Sequence, residues 1–431
     1  MIALAALLAA VAWQASMPRG TPRAEAAGSD QPIPVLADRI DDRLRSTSAR
    51  SPAARSTGEQ RGLGRHVLLV WRTGPIPNVL ATAIRRLPAV ASTTTVATGT
   101  LWLHRTVSAK GSILSQAPPG YAIPLDVAVI DPSAYAAVVG PSARGFPTDL
   151  RQGGVILSET SAAIRGARRG TQLELSNGVI RVAAVAPDVA VGAHEVVVSS
   201  RRGAALGITE PSYLLARLRP GRSASAAVAL IRRIAGPSLR VRVRSASQTP
   251  YLRQADGVLP PEWEKVYFGE FAARPEGDGS FRLDPAWVRQ HVGEARIPLL
   301  GTVRCNRALL DPLRAALGSL QESGLGSLVR RNDYGGCFVP RAVRGGSSLS
   351  HHTWGAAIDV NVSSNGLGQP PHQDPRLVRA FERAGFVWGG RFLRPDGMHF
   401  EFGCPRQFPV AETVRVPHGP MELPLCRGGE R

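Results

Sequence analysis

The stretch SLSHHTWGAAIDVNVSSN, residues 348–365, decides how the last third of the chain folds. Its IDVNV segment alternates apolar and polar residues with the period of two that is typical of a β-strand. One side of the predicted strand is therefore apolar, and Asp359 faces the other side together with Asn361. His352 comes just before a glycine-containing turn that leads into this strand.

A second stretch, GFVWGGRFLRPDGMHFEFG at residues 385–403, supplies a matching strand. MHFEF alternates in the same way, so His399 and Glu401 share one face of it. Two strands whose polar residues turn the same way can build a site, and His352, Asp359 and His399 would converge there. Two imidazoles and one carboxylate with an open fourth position are typical of catalytic zinc. The sequence therefore predicts a Zn²⁺ centre.

A hydrolytic zinc site also needs a base and a second source of positive charge. Asp396 lies three residues before His399, across a Pro-Asp-Gly turn, where it can take a proton and pass it to a leaving amine. A developing oxyanion needs a cation or a hydrogen-bond donor besides the metal. Arg341, eleven residues before His352, is the candidate, and Arg344 is the alternative.

These residues together resemble the D-alanyl-D-alanine carboxypeptidase (VanY-type) zinc peptidase family, over roughly residues 269–410. The resemblance rests on three motifs, which are Ser350-x-His352-x-x-Gly355-x-Ala357-x-Asp359, Trp388-Gly389-Gly390 and Asp396-x-x-His399-Phe400-Glu401. It implies a compact α+β fold with a small antiparallel sheet, and peptidoglycan stem peptide as the substrate. The implied roles are zinc ligands for His352, Asp359 and His399, acidic base for Asp396, substrate or oxyanion arginine for Arg341, and support of the ligands for Ser350.

The bond that is cut stays open, because some members of this family are L-alanyl-D-glutamate endopeptidases. Carboxypeptidase members commonly carry Glu-x-x-His at the base, whereas this chain has Asp396-x-x-His399, as the endopeptidases do. We expect D-alanyl-D-alanine carboxypeptidase activity first and the endopeptidase second. A non-catalytic cell-wall-binding protein with a retained zinc site is a third alternative. It is disfavoured because a structural site needs no base and usually has four protein ligands.

Other residues near the motifs carry less specific interpretations. Glu401 is expected to orient a metal ligand, with an ordinary strand carboxylate as the alternative. Trp388 fits either a substrate cleft or core packing, as does Trp354. His351 is expected to be a bystander, because the motif spacing selects His352.

The middle of the chain, residues 63–247, combines short Val-rich strands with helix-like stretches, which predicts a mixed α+β domain. Its segment GGVILSETSAAIRGARRGTQLELSNGVIRVAAVAPD, residues 153–188, resembles the extracellular domain of FtsX- and MacB-type ABC permeases. That resemblance implies a binding or positioning domain rather than a catalyst. We therefore expect an α+β fold in two parts, a basic domain followed by the peptidase.

Positive charge is concentrated in the same region. Residues 61–250 carry 23 basic and 8 acidic residues, a net charge of +15 out of +19 for the whole chain. Such a surface attracts anionic partners, so an anionic wall polymer or a membrane-associated partner is expected. Nucleic acid is not expected, because no nucleic-acid motif accompanies the charge and aromatic residues are sparse there.

The flanking segments complete the predicted organisation. Ile2–Trp13 form an apolar run of twelve residues, which is typical of a signal-peptide core. Residues 1–27 are therefore expected to be a signal peptide or membrane anchor of an exported protein, extracellular or in the cell envelope. We predict linkers over residues 28–62 and 248–268, and the peptidase domain over residues 269–431.

The four cysteines all lie in the last third of the chain. An even number confined to one region suits two disulfides in an exported protein. We predict the pairs Cys305–Cys337 and Cys404–Cys426, although the sequence allows three pairings.

Overall fold

The computed structural model describes residues 66–249, 251–254, 259–343 and 348–403, and the backbone of the paired strands Thr413–Val416 and Gly419–Glu422. All of these residues belong to one compact unit. The fold is mixed α+β, with one large sheet and several smaller ones, as the sequence predicts.

Several predictions fall on residues outside these ranges. They are the signal peptide or anchor over 1–27, the linker over 28–62, the alternative arginine Arg344, and the pair Cys404–Cys426. Within the described residues, no helix combines the length and the apolar character needed to cross a membrane.

The large sheet of the described residues has ten strands. They are β1 (Val67–Arg72), β2 (Val90–Val107), β3 (Ile113–Gln116), β4 (Ile123–Ile130), β5 (Val155–Ser158), β6 (Gln172–Leu175), β7 (Gly178–Ala186), β8 (Val196–Ser199), β9 (Pro211–Leu218) and β10 (Val241–Ser245). Most neighbours are antiparallel, but β4 pairs with β8, and β5 with β7, in parallel. Six helices accompany them, α1 (Asn78–Arg85), α2 (Pro132–Val139), α3 (Phe146–Asp149), α4 (Glu159–Arg165), α5 (Ser200–Ala205) and α6 (Ala224–Ala235).

Strand β2 closes part of this sheet into a ring. It is 18 residues long, so its first half pairs with β9 and its second half pairs with both β4 and β6. The pairings therefore run β2-β4-β8-β5-β7-β6 and return to β2. Apolar residues from all six strands pack inside, among them Leu103, Leu125, Leu157, Leu173, Val182 and Val196. Burying this surface favours closure, and each of the six strands in the ring has a paired neighbour on both sides.

The described residues from 259 to 403 pack around a hydrophobic core of their own, here called the second core. Its strands are β11 (Ala273–Pro275), β12 (Phe281–Leu283), β13 (Val292–Ile297), β14 (Gly301–Asn306), β15 (Tyr334–Gly336), β16 (Ala357–Val360), β17 (Phe386–Trp388) and β18 (His399–Phe402). Its helices are α7 (Pro261–Phe268), α8 (Pro285–His291), α9 (Arg307–Glu322) and α10 (Pro375–Arg383). The antiparallel sheet β15-β16-β18-β17 carries the candidate site, and its apolar face packs on α10, where Phe381 stacks on Phe400.

The linker predicted over 248–268 needs correction, because α7 lies within it and is buried. Pro261 occupies the first turn, where its missing N–H costs nothing, so the proline-rich composition starts a helix here. Trp263 and Phe268 join the second core. The charged residues of α7 are buried as well, and Glu262 and Lys265 contact the region that carries the large sheet.

A buried ion cluster holds α7 against that region. Both carboxylate oxygens of Glu195 accept from Lys265 Nζ, at 2.8 and 2.9 Å, and Oε1 also accepts from Arg165 at 2.8 Å. The backbone N–H of Asp126 donates to Oε2 at 2.9 Å. The side chains of Glu195 and Arg165 are fully buried, and Glu270 adds a second carboxylate near both cations. Burying these charges is tolerable because they compensate one another.

A disulfide joins Cys305 on β14 to Cys337, just after β15, as the sequence predicts. Both cysteines are buried in the second core. The bridge therefore ties the β13–β14 hairpin to the strand that borders β16.

Removing the charge of Glu195 should destabilise the fold strongly. Glu195→Gln leaves two buried cations undercompensated, and we expect the free energy of unfolding to fall by about 3–5 kcal/mol. Urea denaturation measures it. The matched control is Glu174→Gln, which breaks the exposed pair with Arg105 and should cost under about 1 kcal/mol. Equal losses in the two variants would contradict the prediction.

Stability should also respond to the ionisation of Asp188. Burial raises the pKa of this carboxyl to about 6, although hydrogen bonds from Thr160 oppose the rise. The unfolded chain releases the proton first, so the folded state loses stability as pH rises from about 4 to 6.

Asp188→Asn has no ionisable group at this position, so its stability should not fall with pH for this reason. Relative to this variant, the wild type should lose about 2 kcal/mol of unfolding free energy between pH 4 and pH 7. Urea titrations of both proteins at the two pH values measure it. Parallel pH dependences would rule the effect out.

Candidate metal centre

Three side chains meet at the polar face of the small sheet. His352 comes from a single 3-10 turn, His351–Thr353, and Asp359 and His399 stand directly opposite each other on β16 and β18. Asp359 Oδ1 lies 3.0 Å from His399 Nδ1 and 3.2 Å from His352 Nε2, and the two nitrogens are 3.2 Å apart. The three side chains predicted as ligands are thus brought together, and all three are buried.

The turn before β16 sets the position of His352. Ser350 caps it, since its Oγ accepts from the backbone N–H of His352 at 3.4 Å. Gly355 has a φ of +67°, and a Cβ there would lie 2.6 Å from the backbone nitrogen of Asn306. Glycine is therefore required for the turn to pack against β14.

The alternation predicted for IDVNV ends earlier than expected. Strand β16 stops at Val360, and Asn361 adopts the left-handed conformation with a φ of +54°, which asparagine tolerates better than most residues. Its side chain donates to Leu328 O and Gln373 Oε1 and accepts from Arg330 N–H. Asn361 therefore braces the end of the strand, away from the shared face expected for it.

Each imidazole is oriented from behind by a second acceptor. His352 Nδ1 lies 2.9 Å from the carbonyl oxygen of Cys337, and His399 Nε2 lies 2.9 Å from Glu401 Oε2. When both rings are neutral, donation of those N–H groups leaves a lone pair on His352 Nε2 and on His399 Nδ1, and both atoms face Asp359. This is the arrangement expected of metal-binding histidines, and it gives Glu401 the orienting position that the sequence suggests.

The donor spacing fits zinc. Ligand atoms about 2.0–2.1 Å from a tetrahedral ion are separated by roughly 3.3 Å, close to the spacing here. The set of two imidazoles and one carboxylate leaves a fourth position open. Asp396 Oδ1 and Glu401 Oε1 are buried beside the centre, and neither has a hydrogen-bond partner among the described residues. The residues present therefore fit a catalytic zinc ion.

The electrostatics of the centre also favour a cation. Burial opposes ionisation of Asp359, but hydrogen bonds to His352 and His399 hold its pKa well below its usual range. Burial likewise opposes ionisation of Glu401, whose pKa is lowered by His351 and His399. Burial disfavours a charged His399, yet Asp359 and Glu401 raise its pKa to about 10. Two carboxylates that stay ionised around the imidazoles are the complement of a divalent ion.

Asp396 borders the centre from the turn between β17 and β18. Its backbone N–H donates to Gly389 O at 2.9 Å, and its own carbonyl accepts from His399 N–H at 3.2 Å. A Cβ at Gly389 would lie 2.7 Å from Asp396 O, so glycine lets the turn fold close to the ligand strand. Burial and the nearby Asp359 raise the pKa of Asp396, against the charges of His399 and Arg341.

Trp388 holds the same turn, and Trp354 belongs to the core. Trp388 is half-buried and its Nε1 donates to Gly397 O at 2.9 Å, while Arg391 lies 5.7 Å from its ring. Trp354 is buried, with its ring centre 4.8 Å from that of Phe271. Of the two tryptophans, Trp388 is the one beside Asp396.

Arg341 is near the centre but does not touch the three ligands. Its backbone exchanges hydrogen bonds with Thr353 Oγ1, which joins it to the His352 turn. Its guanidinium donates to Ala342 O at 3.5 Å, and its charge acts to lower the pKa of Asp396. The role in binding substrate or an oxyanion stays a prediction.

Sequence reasoning missed a group behind the ligands. His351, expected to be a bystander, is largely buried, and its Nδ1 lies 2.6 Å from Glu264 Oε1 and 3.7 Å from Glu401 Oε2. Burial disfavours its charged form, but the two glutamates raise its pKa to about 9. Glu264 lies on α7, far away in sequence, and no motif spacing connects it to His351. The available sequence signal was that Glu264 follows Trp263 in a segment that a proline can start as a helix, which would have indicated a buried helix.

The segment that carries the candidate centre matches one known family model. Residues 344–402 match the family model described as D-alanyl-D-alanine carboxypeptidase. The matched segment includes His352, Asp359, His399 and Asp396, and it begins after Arg341. A search of curated proteins found no match to this chain.

Solved structures similar to this chain include the periplasmic region of MacB from Actinobacillus actinomycetemcomitans. The similarity has a TM-score of 0.33 at 11% identity and covers 45% of this chain and 95% of that one. The extracellular domain of the noncanonic ABC-type transporter YknZ from Gram-positive bacteria is similar at a TM-score of 0.29 and 12% identity, covering 42% and 100%. The two resemblances stated from the sequence are thereby confirmed as resemblances.

The protein should bind one zinc ion through the three buried side chains. His352→Ala and Asp359→Asn each remove a ligand, and we expect zinc affinity to fall by more than about 100-fold, beyond the loss typical of a supporting residue. Competition with a chromophoric chelator measures it. His372→Ala, an exposed histidine of the same region, should keep full affinity. Equal zinc affinity in all three variants would reject the assignment.

Proposed function

We propose that this chain is a zinc-dependent peptidase that hydrolyses peptidoglycan stem peptides, acting as a D-alanyl-D-alanine carboxypeptidase. The observation that carries the proposal is the buried His352–Asp359–His399 group, with Asp396 Oδ1 beside it and without a hydrogen-bond partner in the described part of the chain. The match of this segment to the carboxypeptidase family model supports it. The coarser conclusion, a metallopeptidase-like centre, rests on the same residues.

Each residue of the proposed active site has a separate role. His352, Asp359 and His399 hold the zinc, with Cys337 O and Glu401 fixing the two imidazoles. Zinc bound there supplies Lewis acidity toward a peptide carbonyl and a water molecule. Asp396 takes the proton of the attacking water and delivers it to the leaving amine. Its Oδ1 is buried and accepts no hydrogen bond from any residue that the structure describes, so it is available for this role.

Arg341 supplies positive charge on the substrate side. A carboxypeptidase must recognise a terminal carboxylate, and arginine is the side chain best suited to that anion. Its joint with Thr353 keeps Arg341 close to the His352 turn.

The basic region gives the enzyme a positively charged surface that can attract an anionic partner. We place the protein outside the cytoplasm, in the cell envelope or the extracellular space, and the Cys305–Cys337 disulfide supports this. The +15 charge of residues 61–250 suits an anionic wall polymer, with a membrane-associated partner as the alternative.

The decisive test is mass spectrometry of purified stem peptides incubated with the zinc-loaded protein. Loss of the terminal D-alanine is expected. In Asp396→Asn the turnover should fall by about 10²–10⁴-fold, because proton transfer is lost, while the zinc content stays unchanged. Asp311→Asn, an exposed aspartate on α9, is the matched control and should cleave normally.

Other outcomes would redirect the proposal. A cut between L-alanine and D-glutamate would replace the carboxypeptidase with the endopeptidase, which the shorter Asp396 base also suits. Bound zinc with no cut in any stem peptide would reject catalysis in favour of a wall-binding protein.

A further inference from the structure

Helix α7 lies between the ring of strands and the candidate metal centre, and it makes charged contacts with both. On one side Glu262 accepts from Ser158 Oγ at 2.5 Å, and Lys265 Nζ donates to Pro124 O and to Glu195. On the other side Glu264 faces His351. Charged side chains this deeply buried are costly unless each has a partner.

The contacts of Glu264 lead directly to a metal ligand. Glu264 Oε1 lies 2.6 Å from His351 Nδ1, and that nitrogen lies 3.7 Å from Glu401 Oε2. The same oxygen of Glu401 is 2.9 Å from His399 Nε2. Glu264 is 1% exposed and Glu401 is 3% exposed, so both carboxylates that face His351 lie in the protein interior.

The end of α7 is joined to the turn that carries His352. The side chain of Asn306 donates to the carbonyl of Phe268, at the end of the helix, and to the carbonyl of Trp354, at the end of the turn. Phe268 also packs edge-on against Phe402 of β18, at 5.8 Å between ring centres. The helix is therefore held in register with both histidine ligands.

We propose that Glu264 is a positioning residue for the metal centre, acting through His351 and Glu401 on His399. Glu401 can orient His399 only while its carboxylate keeps one rotamer. His351 lies against the same oxygen and is itself held by Glu264. The anchoring of α7 by Glu195 and Ser158 fixes Glu264, so the basic region contributes to zinc binding without touching the metal. This inference rests on the proposed zinc site.

Zinc affinity and the visible absorption of the Co²⁺-substituted protein test this role. Glu264→Gln keeps the size of the side chain and removes its charge. We expect zinc to bind about 10–100-fold more weakly, as is typical when a supporting partner of a ligand is lost. The Co²⁺ bands, which report ligand geometry, should shift. Glu174→Gln, whose carboxylate pairs with the exposed Arg105, is the matched control and should leave both unchanged.

A double-mutant cycle keeps the test sharp. His351→Gln interrupts the same contacts from the other side, and carries the test alone if Glu264→Gln does not fold. Because the two residues act in one chain of contacts, the double variant should lose no more affinity than the worse single variant.

Two results overturn the positioning role. One is wild-type zinc affinity and Co²⁺ bands in folded Glu264→Gln or His351→Gln, and the other is fully additive losses. If the wild type binds zinc and cleaves stem peptides in either case, the proposed function stands without this inference. If the wild type binds no zinc, both fall together.

Discussion

The pairing of Glu195 with Arg165 and Lys265 is the interaction on which the rest of the structure depends. It joins the residue before β8 to α4 and α7, in an interior where an unpaired charge would be prohibitive. Apolar packing alone would let these elements slide, whereas ion pairs with a backbone N–H on the same carboxylate define one arrangement. The ring of strands and the second core therefore meet at a fixed joint.

The joint affects the candidate site through the positions of its side chains more than through the stability of the fold. Asp359 and His399 are set by strand register, because opposite residues of an antiparallel pair face the same side. His352 arrives on a turn that requires Gly355 and the Ser350 cap. The supporting groups, by contrast, come from distant segments. They are the carbonyl of the disulfide-bonded Cys337, just after β15, and the carboxylate of Glu264 on α7.

What could be predicted from sequence follows from this division. The histidines and Asp359 lie on short elements with strict local periodicity, so alternation and spacing reveal them. The β-rich middle region was recognisable for the same reason. The buried helix α7 was not, because Pro260 and Pro261 are typical of linkers and the partners of its charges are long-range. Asn361 was misplaced because strand alternation says nothing about where a strand ends.

The carbonyl that orients His352 belongs to a half-cystine. Cys337 is held by covalent attachment to Cys305, so the acceptor for His352 is placed by a bond outside the ring of ligands. Such bonds close where thiols are oxidised and stay open where they are reduced. In a chain kept reduced, all three ligands and the Cys337 carbonyl would be present, but no covalent bond would hold that carbonyl against His352.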